Sequence, residues 1–222
     1  EMNIRHNNAL LIQEIGKATS SIINVDQLIN TVVGIMKVHI DFDRGMIMLA
    51  NSDKNRLIYT AGYGYNNGIE DLLKQTMFHL DKPESKGTFV EAFRDQKNIL
   101  INDITEIEQK LSKRSLAFAK KIGVQALICV PIVFEKESLG ILAVDNIKSK
   151  RPLTKSDMNF MMGIASQTAV SIANAMSFQR LQESEKKYRD LVENASSIIM
   201  RQDIKGNITF FNIFAQKFFN YT

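Results

Sequence analysis

Apolar positions recur along this chain at two different periods, and the switches between them mark out its elements. Ile4, Leu11, Ile15, Ala18 and Ile22 follow a heptad-like spacing, with Asn8 as the polar exception, which predicts a helix over residues 4–22 with a narrow apolar seam. Asn24, with Gln27 three positions on, has the chemistry to cap a second helix running to about residue 39. Its Leu28, Ile29, Val32, Val33, Ile35 and Met36 form a wide stripe, so this helix is expected to pack on a core. The period then shortens. Residues 45–50 (GMIMLA) and 56–61 (RLIYTA) flank a polar turn and predict a β-hairpin.

Residues 69–79 and 87–96 have the pattern of short helices, 98–101 that of a short strand, and 106–121 that of a helix of about four turns. The clearest hairpin joins residues 125–134 (QALICVPIVF) to 138–146 (SLGILAVDN). Pro131 has no amide to give a ladder, so it belongs at an edge, at a bulge, or where that side of the strand has no neighbour. From Ser156 to about Ala195 the period is helical again. One stripe holds Met161, Ala165, Ala169, Ile172 and Met176, and a heptad-spaced second one holds Phe160, Ile164, Phe178, Leu181, Tyr188 and Val192. Two apolar faces need two partners: the chain's own sheet and, by expectation, the same helix of a second copy. A parallel homodimer is therefore expected through both the opening helix and the long one, with Leu11, Ile15, Ile164, Phe178, Leu181 and Tyr188 as interface candidates. Beyond residues 194–197, two short strand patterns meet at Gly206–Asn207, and residues 214–219 begin another helix.

Composition narrows the class. Hydrophobic residues make up 45% and charged ones 23%, a globular balance, and the single cysteine, Cys129, excludes an internal disulfide and fits a reducing, cytoplasmic setting. No apolar run is long enough to span a bilayer, and no secretory leader pattern follows Glu1, so no direct membrane contact is expected of these residues. The net charge of +4 is modest. Its lysines and arginines share their segments with helix-spaced apolar residues rather than with a continuous basic, aromatic-laced stripe, so nucleic acid is not an expected partner.

The order of helices and hairpins through about residue 180 resembles the GAF domain family. The likeness is carried most by residues 123–146 (GVQALICVPIVFEKESLGILAVDN), with residues 43–49 (DRGMIML) and 99–104 (ILINDI) as earlier blocks. It implies an α+β fold, a six-stranded antiparallel sheet with terminal helices on one face and a small-molecule pocket on the other. Residues 183–222, with Tyr188, Arg189, Leu191, Val192, Glu193 and Asn194 and then Asp203, Gly206, Asn207 and Asn212, resemble the start of a PAS domain. The organisation expected is a sensory domain over 1–177, a signalling helix over 178–195 and a truncated PAS start over 196–222. This pairing resembles bacterial sensor histidine kinases of two-component systems, and also cyclic-di-nucleotide enzymes. No phosphoacceptor box or cyclase signature occurs, so any catalytic part is expected outside these residues.

The chemistry expected of the chain is binding rather than catalysis. His6, His39 and His79 lie on separate segments without metal-ligand spacing, and no nucleophile elbow or phosphate-binding glycine loop appears. No metal, haem or bilin site is evident, and the cofactor, if any, stays unknown. Within the family, the sulfoxide-reductase type uses several cysteines. The cyclic-nucleotide pattern has its Lys, Phe and Glu replaced here by Ile147, Leu153 and Met158. The segments that line a GAF pocket supply Tyr63, Phe78, Phe89, Phe93, Asp103, Phe118 and Ile122 as candidates for an unidentified small molecule. Each aromatic is more often simple core, and Asp103 is placed either to accept from a ligand donor or, the favoured reading, to cap the following helix.

Overall fold

Two helices open the chain, α1 (Met2–Thr19) and α2 (Val25–His39). The computed structural model describes residues 2–221, and the side chains of residues 6–221, so the expected seam position Ile4 lies outside the described side chains. Asn24 caps α2, accepting from the Gln27 amide at 2.9 Å. The strands β1 (Arg44–Ala50) and β2 (Arg56–Tyr63) form the first hairpin. After them come α3 (Asn67–Gln75), β3 (Phe78–His79), α4 (Thr88–Arg94) and β4 (Ile99–Ile101). A 3-10 segment (Ile104–Lys110) and α5 (Lys113–Ile122) precede the second hairpin, β5 (Leu127–Phe134) and β6 (Glu137–Asp145). The long helix α6 (Lys155–Glu193) leads to β7 (Met200–Gln202), β8 (Ile208–Phe211) and α7 (Ile213–Phe218).

The first six strands make one antiparallel sheet in the order β3-β2-β1-β6-β5-β4. This is the expected α+β architecture. Successive side chains of a strand point to opposite faces, so the register divides the sheet cleanly. Met46, Met48, Cys129, Ile141 and Ala143 stand on one face, in a core shared with α3, α4 and α5. Ile47, Ile128, Val130, Leu142 and Val144 stand on the other face, all fully buried, with α2 lying against β1 and β2. Pro131 is accommodated on the free side of its strand: β4 pairs with β5 only as far as Cys129, so no ladder bond is lost there.

The opening helix lies on its own chain. Thr19 and Ser171 share a buried hydrogen bond of 2.7 Å between α1 and α6, and the Gln167 side chain sits over Gly16. Leu11, Ile15 and Ile164 are buried inside this single chain, with Ile15 and Ile164 at 0% exposure. The heptad seam expected to meet a second copy is therefore spent on the protomer's own core at these three positions. Heptad spacing marks a face that needs a partner but does not say which helix supplies it.

By its internal contacts the chain forms two compact units, divided between Ala175 and Met176. The second unit is organised by Asn212, which is completely buried. Its side-chain amide donates to the Val192, Ala195 and Ser197 carbonyls, and its oxygen accepts from the Ile199 and Ala215 amides. Asp203 holds the β7–β8 turn by accepting from the Lys205 and Asn207 amides.

Candidate functional site

The segment between β4 and β5 covers the face of the sheet opposite α2. It departs from the single helix expected over 106–121. The 3-10 segment ends at Lys110, and Ser112 starts a new helix by accepting from the Ser115 amide at 3.1 Å. This restart changes the phase. Ala117 is exposed, and the inward positions of α5 are Ser115, Phe118, Ala119 and Ile122. Gly123 closes α5 in the left-handed region, at φ 71°, which a residue without a Cβ adopts freely.

Beneath this segment lies an apolar cavity of about 50 Å³, walled by Phe78, Phe89, Leu111, Phe118, Ile122 and Leu127 among others. Phe78 meets Phe89 and Phe118 edge-to-face, with ring centroids 5.4 and 5.1 Å apart, an arrangement favoured by the ring quadrupoles. Ligand pockets usually measure some 300–1,000 Å³, while one water occupies about 30 Å³ of liquid. The space is thus too small for an ordinary organic ligand unless the aromatic trio and α5 move.

The outer side of the segment is latched by exposed or half-buried polar contacts. The Ser115 hydroxyl donates to the Lys86 carbonyl at 2.7 Å, and Arg114 donates to the Met77 carbonyl at 3.1 Å. From α4, Arg94 donates to the Leu80 and Lys82 carbonyls, fixing the loop that forms the opposite rim.

Four of the seven pocket candidates, Phe78, Phe89, Phe118 and Ile122, come together around the cavity. Phe93 packs on the same core without reaching the cavity wall. Asp103 is exposed and its carboxylate is occupied. The Thr105 hydroxyl and amide donate to it and hold it below the usual carboxylate range. It caps the 3-10 segment and does not line the cavity. Tyr63 lies on the other face of the sheet, paired with Gly45, and its ring fills the space a Gly45 side chain would need. A bulge between Ile47 and Met48 takes up one extra residue of β2 and inverts the alternation beyond it, which nothing in the local sequence announces. Ser115 lines the cavity without having been expected there. A helix begun at Ser112 rather than at residue 106 would have pointed to Ser115.

The polar part of this face is the buried pair Arg44 and Asp145, each 3% exposed. Arg44 Nε and Nη2 donate to the Asp145 carboxylate at 2.7–3.0 Å, and Nη1 donates to the Ile122 carbonyl at 2.8 Å. The guanidinium also lies 5.0 Å from the Tyr65 ring centre. Burial raises the Asp145 pKa against the pull of Arg44. Burial pushes the Tyr59 phenol up to about 12, with the charge of Glu70 adding to it, and pushes the Cys129 thiol up as well. Cys129 is a buried strand residue rather than a nucleophile. Among the described residues no group of three or more His, Cys, Asp or Glu could hold a metal ion, and no helix is long and apolar enough to cross a membrane.

Residues 24–172 match the family described as GAF domain. Among curated proteins, the formate hydrogenlyase transcriptional activator FhlA of Escherichia coli K12 is 25% identical over 186 residues, 82% of this chain. The match takes in only 26% of that protein's length. Among solved structures, a segment of a methyl-accepting chemotaxis protein superposes with a TM-score of 0.61 at 22% identity, covering 72% of this chain and 96% of that one. The GAF domain of a phosphoenolpyruvate-protein phosphotransferase from Coxiella burnetii gives 0.62 at 16% identity, covering 79% and 98%. At these identities the solved structures speak to the fold alone.

Proposed function

The chain belongs to the GAF domain family, and from that premise we propose that it is the sensory module of a bacterial, cytoplasmic signal-transduction protein. In this reading a small, largely apolar molecule binds beneath α5 and its presence is passed along α6 within a homodimer. The observation that carries the proposal is the apolar cavity under a segment whose outer rim is held by a few hydrogen bonds to the Lys86 and Met77 carbonyls. Each such bond has a net worth of about 1 kcal/mol, so a bound molecule needs only a modest difference in affinity to shift the segment. Of β5 only Leu127 borders the cavity, so the molecule sits between α5 and the β3–α4 region.

Residues 196–222 are read as the opening of a PAS domain, supported by the Asp203 turn and the Asn212 hub at the positions that carry the likeness. The output is proposed to be a histidine kinase of a two-component system, with the regulatory part of a cyclic-di-nucleotide enzyme as the alternative. The curated relative is named as a transcriptional activator, which adds a third form of output. The second reading of the domain itself, a ligandless relay with a filled pocket, is favoured by one feature, the small volume left between the three phenylalanines.

Native mass spectrometry of the protein isolated from its own cells tests the proposal. The expected result is a stoichiometric extra mass that disappears after unfolding and refolding and is absent from Phe118→Trp, whose larger ring fills the cavity. A bare protein mass in every preparation would leave the relay-only reading standing.

A further inference from the structure

The two hinges of the segment over the cavity are tied to the same stretch of chain, the first directly and the second through Arg44 of β1. At the first hinge, the Asn102 side chain donates to the Leu153 carbonyl at 3.1 Å and accepts from the Leu153 amide at 2.9 Å. At the second, the Ile122 carbonyl of α5 accepts from Arg44, whose remaining nitrogens hold Asp145, the last residue of β6. Ile147 lies close beside Gly123, where a Cβ would come within 3.3 Å of it. Asp145 and Leu153 bracket the connector between β6 and α6.

The connector is in turn fixed to the start of α6. Asn146 accepts from the Asp43 amide and donates to the Arg151 carbonyl. Arg151 donates to Asp157 at 3.1 Å, and the same carboxylate oxygen accepts from the Thr154 amide and hydroxyl, each at 2.8 Å. Leu153 is buried at 2% exposure, so the connector does not move without disturbing core packing.

We propose that Asn102 and Arg44 are two clamps that make opening of the 102–123 segment and loosening of the 145–153 connector a single event, delivering the state of the cavity to the first turns of α6. A side-chain amide that pairs with both the N–H and the C=O of one residue leaves little slack, because a shift of either partner stretches both bonds. The Arg44–Asp145 pair is out of water and does not exchange its partners for solvent. The rim contacts of Ser115 and Arg114 are single bonds beside solvent. The segment therefore parts first at its rim, on the side of residues 77–87, and pulls on the connector through its hinges. The proposal rests on reading the cavity as the sensory site, but the mechanical coupling needs no ligand.

Hydrogen exchange on the full 222-residue chain tests the clamps by a double-mutant cycle. Leu111→Ala loosens the segment at the cavity wall, away from the connector. It is expected to speed exchange roughly tenfold over residues 104–122 and by a similar factor over 147–158. In an Asn102→Ala background the same substitution is expected to keep its effect on 104–122 and lose the larger part of its effect on 147–158, the Arg44 clamp carrying the rest. Acceleration confined to 104–122 in the otherwise native chain overturns the proposal, as does acceleration of 147–158 that is undiminished by Asn102→Ala. No small molecule is added. Failure here counts against the clamps and leaves sensing intact, whereas coupled exchange in a protein that never carries a ligand keeps the clamps and removes sensing.

Discussion

Replacing Arg44 with alanine is expected to lower the unfolding free energy by about 3–5 kcal/mol, the cost of leaving one member of a buried ion pair without its partner. Three hydrogen bonds to Asp145 and one to the Ile122 carbonyl disappear together. The Asp145 carboxyl, whose pKa burial already raises, then keeps only the Ile147 amide to favour its charged form. The sign of the pH dependence follows. A carboxyl whose folded pKa exceeds its unfolded value stabilises the fold when protonated, and that contribution is lost as pH rises through the raised pKa. The deficit of Arg44→Ala is therefore expected to grow as pH rises above the ordinary carboxylate range. Urea unfolding at several pH values measures it, and the double variant Arg44→Met with Asp145→Leu is expected to recover most of the loss. A deficit under about 1 kcal/mol at neutral pH would show that water reaches the pair.

Glutamates at Phe178 and Leu181 are expected to weaken self-association roughly 100-fold while leaving the six-stranded sheet folded. The proposed homodimer now depends on the later part of α6, because Leu11, Ile15 and Ile164 are occupied within one chain. Phe178, Leu181 and Tyr188 are 45%, 65% and 72% exposed, with Leu191 at 64%, a largely exposed apolar row. Two charges placed there must either be desolvated or keep the copies apart. Sedimentation velocity at tens of micromolar reads the outcome, with near-ultraviolet circular dichroism as the check on folding. A wild-type chain that sediments as a monomer at that concentration would end the dimer proposal.

Periodicity made most of the fold legible. The two long hairpins, the Asn24 cap and the 39-residue α6 rest on strong local signals that tertiary packing had no reason to override. The failures share a different cause. Residues 76–79 continued a helical pattern, yet Phe78 and His79 pair with Leu57 and Arg56 as an edge strand, an arrangement decided by a distant partner. Ser112, Lys113 and Arg114 are tolerable inside a helix, so the restart of α5 was invisible until the serine was seen capping it. Tyr63 alternates faultlessly with Leu57, Tyr59 and Ala61 in burial because both faces of the sheet are covered there, which hides the bulge. The site was half legible for the same reason. The aromatics that fill a pocket can be found in a sequence, but the faces they occupy depend on register and on where a helix begins.

The central claim is that the segment over the cavity is a movable cover rather than permanent core. Amide exchange across residues 104–124 tests it most directly, comparing protein isolated under native conditions from its own cells with the same protein after unfolding, exhaustive dialysis and refolding. The account predicts that the stripped protein exchanges at least about tenfold faster there than the protein as isolated, with the inner strands β1 and β6 unchanged. Slow exchange, identical in the two samples throughout 104–124, would contradict it.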